Sequence, residues 1–343
     1  MAYAAITKPT DYFNTKLYTG DGTDGRAITG VGFQPDFTWI KYRNDTYGHR
    51  LYDSVRGTTK EIYSNNNGAE NTVATGLTAF GTDGFTLGSS SGVNHNSGTY
   101  VSWNWKASGS TASNSNGSIT STVSANTTAG FSIVKYTGTS SSATVGHGLG
   151  VVPKMIITKQ LSGTSSWGVY HVSRGNGVGM ILNETGSGAS SSTYWNNTSP
   201  TSSVFSIGSD AVCNANGQDF IAYCFAEKKG FSKFGSYTGN GSTDGTFVYT
   251  GFKPAFVFSK DTASGENWFI HDNKRDAYNP VDTYLRPNLS NTEGTAHHYD
   301  FYSNGFKNKY AGGSLNTSGR TIVYMAFAEN PIVGSNNVPA VAR

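Results

Sequence analysis

Three short segments of the chain alternate between large apolar and mostly smaller residues. In Val101-Ser102-Trp103-Asn104-Trp105 the large side chains fall at every second position. The same holds for Ile221-Ala222-Tyr223-Cys224-Phe225 and Val323-Tyr324-Met325-Ala326-Phe327. A period of two puts the large residues on one face of a β-strand, toward a core. The other face, mostly small, suits close packing against a neighbouring layer. Three further runs, Phe37-Thr38-Trp39-Ile40, Met155-Ile156-Ile157 and Phe256-Val257-Phe258, are almost continuously apolar. That is the pattern of strands covered on both sides. Each follows a proline, which is tolerated where the first N–H of a strand lies outside the ladder. No stretch carries helical periodicity with caps. The pattern predicts an all-β chain.

These segments recur in register. Tyr18-Thr19-Gly20 returns as Tyr136-Thr137-Gly138 and as Tyr237-Thr238-Gly239. Seventeen residues after each tyrosine stands a proline, Pro35, Pro153 or Pro254. Six further on stands a lysine, Lys41, Lys159 or Lys260, and fifteen beyond that an arginine, Arg56, Arg174 or Arg275. Phe85, Phe205 and Phe306 follow in the same order, then a turn at Gly98, Gly217 or Gly319. Internal repetition of this kind organises a whole chain. It divides this one into an N-terminal segment 1–11, repeat one at 12–107, a Ser/Thr/Asn/Gly linker at 108–129, repeat two at 130–228, repeat three at 229–330 and a C-terminal tail 331–343. Each repeat, at about 100 residues, has the size of a β-sandwich. The expected architecture is three tandem β-sandwiches of jelly-roll-like topology, with the linker as the most flexible stretch.

Composition narrows the picture. The chain has 43 glycines, 20 tyrosines, 19 phenylalanines and only 14% charged residues. Disordered chains are aromatic-poor and highly charged, so this one folds. The net charge of +3 is dispersed and gives no nucleic-acid surface. No apolar run of about 18 residues exists for a membrane span. Met1 to Thr10 lacks the pattern of a signal peptide. Cys213 and Cys224 are too few for a disulfide framework, and a hairpin at Asn214–Gly217 would hold them too far apart to pair.

Candidate chemistry is sparse. The histidines, including the adjacent pair His297-His298, show no metal-ligand spacing, and no Gly-x-Ser-x-Gly elbow is present. Gly146-His147-Gly148-Leu149-Gly150 is glycine-rich but leads into a strand, where a phosphate loop leads into a helix. The Asp-Gly turns at 21–25 and 240–245 read as hairpin turns. Asp53 and Asp272 occupy one repeat position, which His171 fills in repeat two. No catalytic, cofactor-binding or metal site is expected. The recurring prolines, lysines and arginines read as architectural. Aromatics in segments that read as loops, namely Tyr47, Tyr194, Trp195, Tyr278 and Tyr299 together with Tyr42, Tyr284 and Tyr310, are candidates for interaction. They suit either stacking on sugars or anchoring a protein interface.

Several strings match a known family as a set: Lys8-Pro9-Thr10-Asp11-Tyr12-Phe13-Asn14-Thr15; Ala129-Gly130-Phe131-Ser132-Ile133-Val134-Lys135-Tyr136-Thr137-Gly138; Val145 to Lys154; and Ala326-Phe327-Ala328-Glu329-Asn330-Pro331. The chain resembles, over essentially its whole length, a repeat domain of structural proteins from cyanophages and other marine bacteriophages. Those proteins are described as tail-fibre, tail-appendage or virion structural proteins. The resemblance implies a virion location, manufacture in the host cytoplasm and no catalysis. The expected partners are the chain itself, as a homotrimer by analogy with phage fibres, and other virion proteins. Host-surface glycan is a further candidate. The alternatives are a capsid decoration protein, in which three similar domains sit near a local threefold, and a glycan-binding lectin-like module. A capsule-degrading enzyme is a further rival.

Overall fold

The computed structural model describes residues 4–263 and 265–332, without the side chains of His297 and His298. The His297-His298 pair and all but the first two residues of the 331–343 tail therefore lie outside the described residues. The chain is all-β, built from antiparallel sheets with a few helical turns of three or four residues.

Each repeat carries an inner sheet with one strand order. In repeat one the opening strand Phe13–Thr19 pairs with the closing strand Thr99–Trp105. The closing strand pairs in turn with the proline strand Phe37–Tyr42, which turns back into Arg50–Asp53. Repeat two repeats this order with Phe131–Thr137, Asp219–Ala226, Pro153–Gln160 and Gly168–His171. Repeat three does so with Ser232–Thr238, Thr321–Pro331, Phe252–Asp261 and Trp268–Asp272. The register is conserved to the residue. Two positions beyond each landmark proline, Phe37 faces Trp105, Met155 faces Phe225 and Phe256 faces Phe327. An outer sheet covers one side of each inner sheet: Arg26–Thr29, Gly84–Leu87 and Leu77–Gly81 in repeat one; Ala143–Gly146 with Val204–Ile207 in repeat two; Phe247–Tyr249, Gly305–Asn308, Gly294–Tyr302 and Val281–Tyr284 in repeat three. The two layers enclose a core of their own in every repeat. The sandwich expectation holds. The jelly-roll expectation holds only at the edges, where first pairs with last and second with next to last. In the middle the proline strand returns as a hairpin within its own sheet.

The other face of each inner sheet, where the closing strands carry their large residues, meets the other two repeats. One continuous core contains Val101, Ile221 and Val323, then Trp103, Tyr223 and Met325, then Trp105, Phe225 and Phe327, all at most 2% exposed. The rings of Trp105, Phe225 and Phe327 form a nearly equilateral triangle, with centroids 6.1, 5.8 and 6.1 Å apart. The three repeats are thus arranged about a pseudo-threefold axis lined by their closing strands. Burial of each such side chain contributes roughly 1.5–3 kcal/mol. No repeat can collect that contribution alone: cut free, repeat one would expose Phe13, Phe37, Trp39, Trp103 and Trp105 on one face. The largest core thus belongs to all three repeats.

The segment 108–129, read from its composition as a flexible linker, is instead two strands. Ala112–Asn114 pairs with Ser121–Asn126, which pairs with the opening strand of repeat two. Ser121 and Ser124 are small enough to be buried there, and their hydroxyls are satisfied: Ser121 Oγ donates to the Gly146 carbonyl, and Ser124 Oγ accepts from the Ser108 N–H.

The Tyr-Thr-Gly triplet is explained by a joint at the end of each opening strand. Tyr18, Tyr136 and Tyr237 donate their hydroxyls to the carbonyls of Val93, Cys213 and Leu315 at 2.7–2.8 Å. The next residue is a buried asparagine each time. Asn94, Asn214 and Asn316 accept with Oδ1 from the backbone N–H of Asp21, Thr139 and Asn240. The glycine lies under this loop. A Cβ at Gly20, Gly138 or Gly239 would stand 2.3–2.5 Å from a carbonyl oxygen. Cys213 and Cys224 are free and buried.

Candidate functional site

The landmark lysines and arginines all lie where repeats meet. Lys41, Lys159 and Lys260 are at most 1% exposed. Their ammonium groups serve as internal cations for backbone carbonyls. Lys159 donates to Gln160 O at 2.7 Å and reaches Asn67 O of repeat one at 3.5 Å. Lys260 donates to Asp261 O, to Glu266 O and, across the boundary, to Thr185 O of repeat two at 3.2 Å. Lys41 donates to Tyr42 O and Asp45 O, and the Glu293 carboxylate of repeat three favours its charge. Burial pushes all three down to about 8.

Arg56 and Arg275 are buried in matching ion pairs with Asp53 and Asp272. Each also reaches a second acid, Glu70 or Glu293, and a strand carbonyl, Leu51 O or Ile270 O. The aspartate is shared with the next repeat. Tyr223 donates its hydroxyl to Asp53 at 2.7 Å, and Trp103 its Nε1–H to Asp272 at 3.0 Å. The third joint is built differently. Met325, which has no donor, stands where Trp103 and Tyr223 stand, and His171 replaces the aspartate. His171 donates Nε2–H to the Tyr324 carbonyl at 3.0 Å and accepts from the Ser173 N–H on Nδ1. Among the described residues Arg174 then has no acid. It donates to Ser187 O, and its buried Nε has no partner among the described residues. Acid and donor were exchanged together, as a buried pair requires.

A second row of joints closes the ring. Eight residues beyond each landmark lysine stand His49, Trp167 and Trp268. His49 donates to Arg286 O of repeat three at 3.1 Å, Trp167 to Tyr63 O of repeat one at 2.9 Å, and Trp268 to Ile181 O of repeat two at 3.0 Å. The contacts run one way round, from one to three, three to two and two to one. Head-to-tail contacts whose rotation closes form rings.

Two of these joints hold a neutral imidazole. His49 accepts from Trp39 Nε1–H on Nδ1, as His171 does from Ser173. A proton on Nδ1 would abolish both bonds. Burial pushes His49 down well below its ordinary value and His171 down to about 4. A depressed value makes this stability complete above the unfolded value of about 6.5. It is lost as pH falls through the folded value. His171→Gln keeps a donor for Tyr324 without titrating. Urea unfolding between pH 7 and pH 4 should show the parent losing on the order of 3 kcal/mol more than this variant, from the shift at His171. Equal losses would refute the assignment.

The interaction aromatics divide. Trp195 and Tyr299 are buried, at 1% and 0% exposure, and Tyr42 at 5%. Trp195 ends a one-turn helix and packs against Tyr170. Tyr299 lies on a strand, and its hydroxyl bonds that of Tyr237. These three are core residues, so the loop reading fails for them; the hydroxyls of Tyr42 and Tyr299 find partners inside, at His95 and Tyr237. Tyr47 is half-buried and stacks on Tyr42 at 5.5 Å. Tyr194 is half-buried, and Tyr278 is 80% exposed.

The sequence reading missed the aromatics Phe247 and Tyr249, 44% and 59% exposed on the outer strand of repeat three. They flank Val248, whose counterparts are Ile28 and Val145. The outward positions beside those are Ala27 and Thr29 in repeat one, and Thr144 and Gly146 in repeat two. The fold thus needs no aromatic there, a signal that aligning the repeats would have exposed. Phe247 meets Tyr302 edge to face at 5.9 Å. Tyr249 overhangs a cleft of about 310 Å³ that also includes Glu227, Lys229, Ser232 and Lys233. Within it Lys233 is paired with Glu227 at 2.7 Å.

Among the described residues no group of three or more His, Cys, Asp or Glu is placed to hold a metal. No helix among them is long and apolar enough to cross a membrane. No curated protein and no solved structure matches the chain. One family profile runs unbroken over residues 8–331, through all three repeats and the strands between them, and the chain belongs to that family, DUF7483, a domain of unknown function.

Proposed function

We propose that the chain is a non-enzymatic structural protein of a bacteriophage particle, a tail-fibre or appendage component that assembles with itself and with other virion proteins. The observation that carries the structural role is the spending of the buried charged landmarks on joints between repeats. The arrangement serves rigidity, and a catalytic site would leave such groups facing a cleft. The phage assignment is drawn from the sequence motifs. The host-surface glycan contact stands as part of the same proposal.

The closed pseudo-threefold body favours a second reading, a capsid decoration protein at a local threefold. One chain of this kind presents three similar faces to three similar neighbours. A cryo-EM map of the intact particle tests both readings. Density for the ring on the tail supports the first, and density at local threefolds of the head supports the second. Absence from purified particles by mass spectrometry would refute both.

A further inference from the structure

Beside the opening strand lies a groove at the end of the outer strand in repeats one and three, at Gly30 and at Tyr249, and in repeat two the same edge is covered. The three repeats treat it differently. In repeat two the chain fills it with its own strand: Ser121–Asn126 pairs along the edge of Phe131–Thr137, and Val123 packs into the core beneath. In repeat one Phe13–Thr19 is an edge strand, and the Lys16 ammonium stands over Gly30 at the groove. A lysine on an edge strand is a recognised guard against pairing with another chain.

Repeat three has neither device. Ser232–Thr238 is an edge strand among the described residues. The counterpart of Lys16 is Gly235. Lys233 is drawn away and neutralised by Glu227. The groove is bordered instead by Tyr249, where the other repeats have Thr29 and Gly146. Strand addition works through this combination: edge backbone groups supply affinity, and an adjacent pocket supplies specificity.

We propose that the edge of Ser232–Thr238, with the cleft under Tyr249, accepts one extended strand from a partner polypeptide. The occupant of repeat two defines its chemistry: about six residues, small and hydroxyl-rich, with an apolar side chain at the middle, as in Ser-Thr-Val-Ser-Ala-Asn. That apolar side chain lies against Tyr249, and the hydroxyls face the Glu227–Lys233 pair. The site stands independently of where the protein resides.

The probe is a synthetic peptide of residues Ile119–Asn126, added to the full-length protein and also fused by a flexible linker after Arg343. Hydrogen–deuterium exchange should slow in 232–238 and stay unchanged in 131–137, whose edge is already paired. Tyr249→Ala should weaken binding of the free peptide at least tenfold without altering the melting temperature. No slowing in 232–238 with either form of the peptide would overturn the proposal. So would slowing that appears only after residues 333–343 are deleted, which would make the chain's own tail the occupant. Binding of glucose or galactose oligosaccharides at Tyr249, with no effect of the peptide, would overturn it in favour of a sugar site.

Discussion

Replacing Arg275 or Arg56 by methionine is expected to cost the fold about 3–5 kcal/mol, because either change strands a buried carboxylate. Asp272 would keep only the Trp103 N–H and Asp53 only the Tyr223 hydroxyl, besides the backbone N–H groups of their own turns. The same change at Arg174 should cost less, about 1.5 kcal/mol, since it removes one charge-assisted hydrogen bond to the Ser187 carbonyl and strands no buried charge. It also takes a positive charge from the vicinity of Lys260. Urea denaturation of the three variants measures the contrast. Equal losses at all three positions would mean that the aspartates do not set the value of the joint.

Trp105→Ala should be comparably severe, at about 3–5 kcal/mol for a buried tryptophan. Its ring meets Phe13 and Phe37 of its own repeat, Phe131 and Phe225 of repeat two, and Phe256 and Phe327 of repeat three. Trp105→Phe should cost far less than the alanine, about 1–2 kcal/mol, because only part of the ring volume is lost. Phenylalanine is the residue at this position in the other two repeats, and it removes a buried indole N–H that has no partner among the described residues. Thermal melts of both variants decide the matter. A tolerated alanine would show that the three repeats do not depend on this contact.

Much of this was legible in the chain. The fixed spacing from Tyr18 to Pro35, Lys41 and Arg56 marked positions whose register is now seen to coincide. The alternation at 101–105 marked a face carrying large apolar groups. Alternation cannot say what covers such a face, so the meeting of three closing strands on one axis was hidden. The segment 108–129 misled because Ser and Thr signal turns by composition, yet Ser121 and Ser124 pair their hydroxyls and pack in a strand. Trp195 and Tyr299 misled because their flanking polar residues resemble loops. The joint between His171 and the Tyr324 carbonyl needed the fold, because those residues are 153 positions apart. The outward aromatics Phe247 and Tyr249 were readable only by comparing repeats, since an alternating strand looks the same from either face.

The most direct test of a single core shared by three repeats is differential scanning calorimetry of the full-length chain. One transition is expected, with calorimetric and van't Hoff enthalpies in agreement, because no repeat can leave without exposing the aromatic faces of the other two. Two or three resolved transitions, with a van't Hoff enthalpy well below the calorimetric value within any of them, would show that the repeats melt separately and would contradict the single shared core.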